Sequence, residues 1–348
     1  MLCYETIEGM HTPIVIDNIP QCQPHPWHPS VLYIAEGWNG HRYWMAQTPF
    51  PPMSIAPYRD RYELPCIHYS DDGVHWWPID TNPISKLSEA AIDAHNYYSD
   101  PHLVLKNGIL ECYYRFSILQ NKKLEGNKTI LYKRTSKDGI HWTDQQVIAD
   151  LRIEKDIEIW GEQIISQAVR WDGELYQCWY VDRSSYLTNR KIRYSQSVDG
   201  VHWTISKECT LSGRIIDPWH IDVQWYDGLY QMVVYDMVGL YWFESSDGMN
   251  YSFVSTIILP SKKWNDFYSE GLYRACSVKA KDEIYVYFSA KNMLRTSIGL
   301  LRTHDREKFE ICNGMKLYCY VQEYLLPILI KKTKRLLKKQ LKVIHIER

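Results

Sequence analysis

Ser70-Asp71-Asp72-Gly73-Val74-His75-Trp76 is a heptapeptide that returns as Ser136-Lys137-Asp138-Gly139-Ile140-His141-Trp142 and as Ser197-Val198-Asp199-Gly200-Val201-His202-Trp203. A fourth copy, Ser245-Ser246-Asp247-Gly248-Met249-Asn250-Tyr251, keeps the closing aromatic. A fifth, Thr303-His304-Asp305-Arg306-Glu307-Lys308-Phe309, keeps only the Asp and the aromatic. The residue types spell a tight turn: hydroxyl and carboxylate bond nearby amides, glycine takes the positive φ, and the ring plugs back onto the sheet. A second series alternates with the first. Asn39-Gly40, Asn107-Gly108, Asp172-Gly173, Asp227-Gly228 and a degenerate Asp282-Glu283 each sit between apolar runs, the strongest short-range hairpin signal. The runs alternate as strands do, as in Ile109-Leu110-Glu111-Cys112-Tyr113-Tyr114. Five hairpins, each followed by one Ser-x-Asp-Gly turn, predict an all-β, five-bladed β-propeller over residues 1–316. No Pro/Ser/Gly-rich linker divides it. Residues 317–348 are set apart as a basic amphipathic helix.

The composition agrees with a globular domain. Of 348 residues 45% are hydrophobic and 23% charged, with a net charge of −1, which is ordinary for such a fold. Fourteen Trp and 27 Tyr against 7 Phe supply flat rings with polar edges, suited to sheets and to stacking on sugar rings. The nine Cys lack paired spacing, which argues against a disulfide framework and a structural zinc site. Met1–Glu8 has no basic and then apolar leader, and no run of 18 apolar residues occurs. A cytoplasmic location is expected.

In a propeller the innermost strand of each blade lines a central channel and starts at one mouth. Counting back from the hairpin turns gives five such starts: Trp27-His28-Pro29-Ser30-Val31, Ser99-Asp100-Pro101-His102-Leu103, the segment from Gly161-Glu162 to Ser166-Gln167, Asp217-Pro218-Trp219-His220-Ile221-Asp222-Val223, and Glu270-Gly271-Leu272-Tyr273-Arg274. They are rich in His, Asp, Glu and Arg where packing alone would want apolar residues. That convergence marks the candidate site. The competing reading is that these groups satisfy one another across the channel.

The repeated turns, Asp100-Pro101-His102 and Trp219-His220-Ile221-Asp222-Val223 resemble the five-bladed glycoside hydrolase superfamily, which includes the family 43 arabinanases and xylosidases, fructosidases and mannoside phosphorylases. The run from Glu36 to Trp44, then Thr48-Pro49-Phe50-Pro51, and Leu272-Tyr273-Arg274 are similar to uncharacterised relatives associated with surface-polysaccharide genes. The resemblance implies an enzyme that transfers or cleaves a glycosyl unit in capsule or O-antigen synthesis, acting on a glycan or an activated sugar. It implies Asp100 as the pKa-tuning acid of blade two and Glu162 as the general acid of blade three. Blade one departs from the pattern, with His28-Pro29 in place of Asp-Pro. His28 is then the candidate base, or Glu63 supplies the carboxylate that inverting hydrolysis needs. Alternatively His28, His102, His220 and Arg274 form a cationic pocket for inorganic phosphate or a nucleotide-sugar as co-substrate. Trp38, Gln167, Trp219, Asp222, Glu270 and Tyr273 complete the expected substrate-binding set. No other cofactor is expected, and no metal, because no ligand-motif spacing occurs. A family 43-like cytoplasmic hydrolase and a non-catalytic glycan-binding propeller are the alternatives.

Residues 331–348 hold Lys331, Lys332, Lys334, Arg335, Lys338, Lys339, Lys342 and Arg348 against Glu347 alone, a net +7 against −8 on the rest. Ile330, Leu337, Leu341 and Ile344 share one helical stripe. Such a helix, over residues 330–348, either meets an anionic membrane surface or docks on the propeller. Nucleic acid is not an expected partner, since the body is acidic.

Overall fold

Each Ser-x-Asp-Gly segment closes through the same Asp and Ser bonds to backbone amides, and in blades one and two the Trp indole adds a bond to the glycine carbonyl. Asp138 Oδ1 accepts the amides of Ile140 and His141 at 2.9 and 2.8 Å, Ser136 Oγ accepts that of Gly139 at 2.8 Å, and the Trp142 indole donates to the Gly139 carbonyl at 3.1 Å. The degenerate fifth copy makes this turn as well. Asp305 Oδ1 accepts the amides of Glu307 and Lys308, and Arg306, at φ 63°, stands where the others have glycine. The hairpins hold Asn39 and Gly40, Asn107 and Gly108, and Asp227 and Gly228 at positive φ, as two-residue turns of this type require. In blade five the turn falls on Lys281-Asp282, one residue earlier than the expected Asp282-Glu283, because Glu283 already opens the returning strand.

The computed structural model describes residues 10–17, 25–50, 63–120, 123–184, 189–293 and 295–346. Met1–Glu8 and Pro51 lie outside them, as do the side chains of Lys338, Lys339, Leu341, Lys342 and Ile344. Five antiparallel sheets form the blades. Their innermost strands are Ser30–Trp38, Tyr97–Lys106, Ile164–Trp171, His220–Tyr226 and Gly271–Ala280. Each touches the next, and the last touches the first, so the ring is closed. Blade one gains a parallel outer strand, Val15–Ile16, and blade four another, Thr210–Ser212. The residue before the first of these reaches further: the Ile14 amide donates to the Ile298 carbonyl of blade five at 3.0 Å.

Apolar faces meet between blades, as where Trp44, Cys66, Leu110, Cys112 and Tyr114 pack together. The turn glycines belong to these contacts. A Cβ on Gly139 would lie 2.3 Å from the Trp44 ring, at a φ of +80°. All seven described cysteines are free thiols, six of them buried.

The chain ends in a helical rod: Leu317–Tyr320, a π-helical turn Val321–Leu325, then Leu326–Ile346. Its root docks on the propeller. Tyr320, Tyr324 and Leu325 join Phe267, Tyr268 and Phe288 in one apolar cluster. The Tyr320 hydroxyl donates to the Asn265 carbonyl at 2.6 Å. No described helix is long and apolar enough to cross a membrane.

Candidate functional site

The innermost strands start irregularly, and the irregularity aims the side chains. In blades two, three and five the pairing slips between Ser99 and His102, between Ile165 and Ala168, and between Leu272 and Ala275. Such bulges re-aim side chains. His28, Asp100 and Ser166 adopt φ of 54°, 53° and 52°, and Glu63 adopts 48°. Left-handed backbone at non-glycine residues costs about 1–3 kcal/mol each and gathers at functional sites.

Asp100 is the hub, fully buried at the axis. Its Oδ2 accepts from Arg115 Nε and, at 3.2 Å, from the Ser166 amide. Among the described residues its Oδ1 has no hydrogen-bond partner. Around Oδ1 stand His220 Nδ1 at 3.4 Å, Arg274 Nη1 at 3.7 Å and His28 Nε2 at 3.9 Å. Burial alone would push the Asp100 carboxyl up, yet the Arg115 guanidinium, with Arg274, holds it well below the usual range. Burial pulls the His28 imidazole down to about 3, against the raising effect of Asp100, and pulls His220 down as well. The site at neutral pH is therefore an ionised carboxylate between two neutral imidazoles.

His28 Nδ1 lies 2.6 Å from Thr48 Oγ1 and 3.9 Å from Glu63 Oε2. With its Nδ1 proton given to Thr48, its Nε2 lone pair points at the axis. Both ring nitrogens of His220 lack a hydrogen-bond partner although buried. Leaving such groups bare costs about 1–3 kcal/mol each. One donor atom each from His28, Asp100 and His220 fall within 4.8 Å of one another. Two neutral imidazoles and a carboxylate, with one imidazole oriented from behind, form a donor set that fits a divalent cation with an open coordination position. The expectation against a metal rested on spacing along the chain. The three donors come from three blades, so that criterion has no bearing here.

Tyr273 closes one wall. Its ring centroid is 4.3 Å from His220 and 5.2 Å from Trp27, and its hydroxyl accepts the Trp219 indole N–H at 2.8 Å. Trp219 is half-buried, with the Arg190 guanidinium 4.8 Å above its ring.

One layer deeper, Arg274 lies between Asp100 and a second acid–histidine pair. His102 Nδ1 is 3.5 Å from Arg274 Nη2 and 3.9 Å from Asp222 Oδ1. Asp222 accepts the Ser277 amide at 3.0 Å, and burial pushes its carboxyl up to about 6. Gln167 braces the floor by donating to the Asp100 carbonyl.

Three expected residues stand apart. Glu162 is exposed just past Gly161, and blade three instead sends Ser166 and Gln167 to the axis. Trp38 ends the innermost strand at the opposite rim, where its indole donates to the Gly108 carbonyl. Glu270 is exposed and keeps only its backbone near the ring, bonded to the Lys291 carbonyl. Arg115 and Thr48 were not expected. Each sits on or just after the second strand of its blade, and the only signal for Arg115 is its place opposite Ser99 in the sheet register.

This architecture is a closed five-bladed β-propeller. No family model matches the sequence. The chain is 26% identical over 314 residues to the A type blood N-acetyl-α-D-galactosamine deacetylase of Flavonifractor plautii, covering 76% of this chain. It spans 40% of that enzyme's length. The crystal structure of an N-acetylgalactosamine deacetylase from F. plautii with blood group B trisaccharide superposes with a TM-score of 0.64 at 20% identity, covering 84% of this chain and 93% of that one. A β-xylosidase structure gives 0.56 at 12% identity, covering 84% and 97%.

Proposed function

We propose that this protein is a carbohydrate-active hydrolase that removes the acetyl group from an N-acetylated sugar of a glycan. The observation that carries the reading is Asp100 Oδ1, buried and without a hydrogen-bond partner, between two neutral imidazoles. That donor set suits a divalent cation, which when bound polarises an amide carbonyl and lowers the pKa of water. Glycoside cleavage needs an acid and a second carboxylate set across the scissile bond. Glu162 faces solvent, and Asp100 is locked ionised by Arg115. The same argument weighs against phosphorolysis of a glycoside, which also draws on a general acid. The likeness to the F. plautii deacetylase supports the choice of an acetamido substrate.

The residues divide the work as follows. His28, Asp100 and His220 would hold the cation. Arg115, the Ser166 amide and Thr48 fix those ligands from behind. Trp219 and Tyr273 offer ring faces to the sugar. A proton leaves the attacking water and reaches the nitrogen as the C–N bond breaks, giving acetate and the amino sugar. Tyr273, whose oxygen already accepts from Trp219, has its own hydrogen to give to the developing oxyanion.

The test is turnover of oligosaccharides ending in N-acetylgalactosamine or N-acetylglucosamine. Free acetate and loss of one acetyl mass are expected, abolished by a chelator and restored by zinc or manganese. Release of a monosaccharide without acetate, or turnover indifferent to chelation, would overturn the reading.

A further inference from the structure

The rod at the C-terminus presents an apolar face that the described residues leave about half exposed. Leu326, Leu329, Ile330, Leu336 and Leu337 are 50, 45, 47, 63 and 53% exposed. Their spacing of three, four, ten and eleven places them on one side of a helix. Lys331 and Arg335 fall on the other side. The root is fixed where the catalytic mouth opens. Tyr320 bonds the Asn265 carbonyl, and Lys332 lies 4.2 Å over the Trp264 ring. That segment, 264–268, leads directly into the innermost strand that carries Tyr273 and Arg274. Trp264 is itself half exposed, beside exposed Lys262 and Lys263. An apolar stripe, an interfacial tryptophan and a strip of cations form one surface. The rest of the chain is acidic, with a net −8 against +7 in the last 18 residues.

We propose that this surface docks on an anionic lipid membrane, so that the mouth of the propeller faces a membrane-borne glycan. Lys332 and Lys334 flank the apolar stripe, as cations do in helices that lie in the interfacial plane of anionic bilayers. A second copy laid tail against tail would bring the same excess of positive charge to this surface and would repel. The docking does not depend on the reaction chosen above, and its test needs no turnover.

The test is co-sedimentation of the full chain with vesicles of phosphatidylcholine alone or with phosphatidylglycerol. Binding to the anionic vesicles is expected to exceed binding to neutral ones by about tenfold or more, and to weaken with salt. Leu336→Asp with Leu337→Asp should remove most of it. So should Lys331→Glu with Lys334→Glu and Arg335→Glu. Lys334, Arg335, Leu336 and Leu337 are exposed and Lys331 is half-buried, so the thermal melt and turnover of a soluble substrate should stay as in the wild type. Equal binding to both vesicles, binding to neither, or a dimer that Leu336→Asp with Leu337→Asp dissociates would overturn the proposal.

Discussion

At the rim away from the mouth, His141 Nδ1 lies 2.7 Å from Asp138 Oδ2, and His202 Nδ1 lies 2.7 Å from Asp199 Oδ2, all largely open to solvent. At the mouth, His220 Nδ1 stands 3.4 Å from Asp100 Oδ1, and both are buried. The residue pair is the same and the chain repeats both arrangements around one ring. The rim carboxylates spend their oxygens on backbone amides and on the histidine three residues on. The mouth carboxylate spends one oxygen on Arg115 and leaves the other bare. Residue type therefore says little about role. What separates a brace from a site is whether hydrogen-bonding capacity is used up inside the fold.

The comparison can be broken most sharply by His220→Ala. No side-chain hydrogen bond among the described residues is lost, so stability should hold or rise, while the proposed deacetylation should fall about 10³-fold, roughly 4 kcal/mol of barrier. A variant that keeps its activity, or that melts much earlier than the wild type, would put His220 with the rim histidines.

Acid provides the second test, because the two ends respond in different windows. Burial holds His28, His68 and His102 at about 3 and His25 at about 4, against an ordinary 6.5. Below pH 6.5 the unfolded chain binds protons that the folded one refuses, so this stability is full above 6.5 and lost as pH falls. Each such histidine contributes a slope of about 1.4 kcal/mol per pH unit. His220→Ala should flatten the measured slope between pH 6.5 and 4 by about that much. The rim works lower down. Hydrogen bonds from the His141 and His202 side chains depress Asp138 and Asp199 below the ordinary 3.8. Their contribution is present above that value and lost beneath it. Urea titrations across pH would separate the two windows, and a slope unchanged by His220→Ala would remove the distinction.

The smallest effect belongs to Asp138→Ala. It should leave deacetylation as it is and lower stability by about 1–2 kcal/mol, the net worth of the turn bonds it removes. A loss of activity at unchanged stability would show that the rim feeds the site.

The turns were readable because their chemistry is local: Ser136, Asp138, Gly139 and Trp142 bond one another within seven residues. Even the worn fifth copy could be placed, since Asp305 does most of the work. The site was readable only as a set of strand starts. His28, Asp100, His220 and Tyr273 stand at four of them and meet at the axis. Glu162 was misplaced because Gly161, at φ 82°, turns the chain between the short helix Glu154–Trp160 and the strand. A count of residues does not register that change of direction. Arg115 was invisible because its place depends on pairing with Ser99. The donor trio was invisible because no two of its members share a blade.

The seam between the first and last blades gives the molecule an order of assembly. Ile14 bonds Ile298, and Thr12 bonds Asn313, which is 301 positions away. His28 and Tyr273, whose rings lie 5.3 Å apart, face each other across that same join. A ribosome-bound chain lacking its fifth blade has nothing to bring these two rings together. Chemistry at the axis is thus withheld until the fifth blade has emerged and closed against the first.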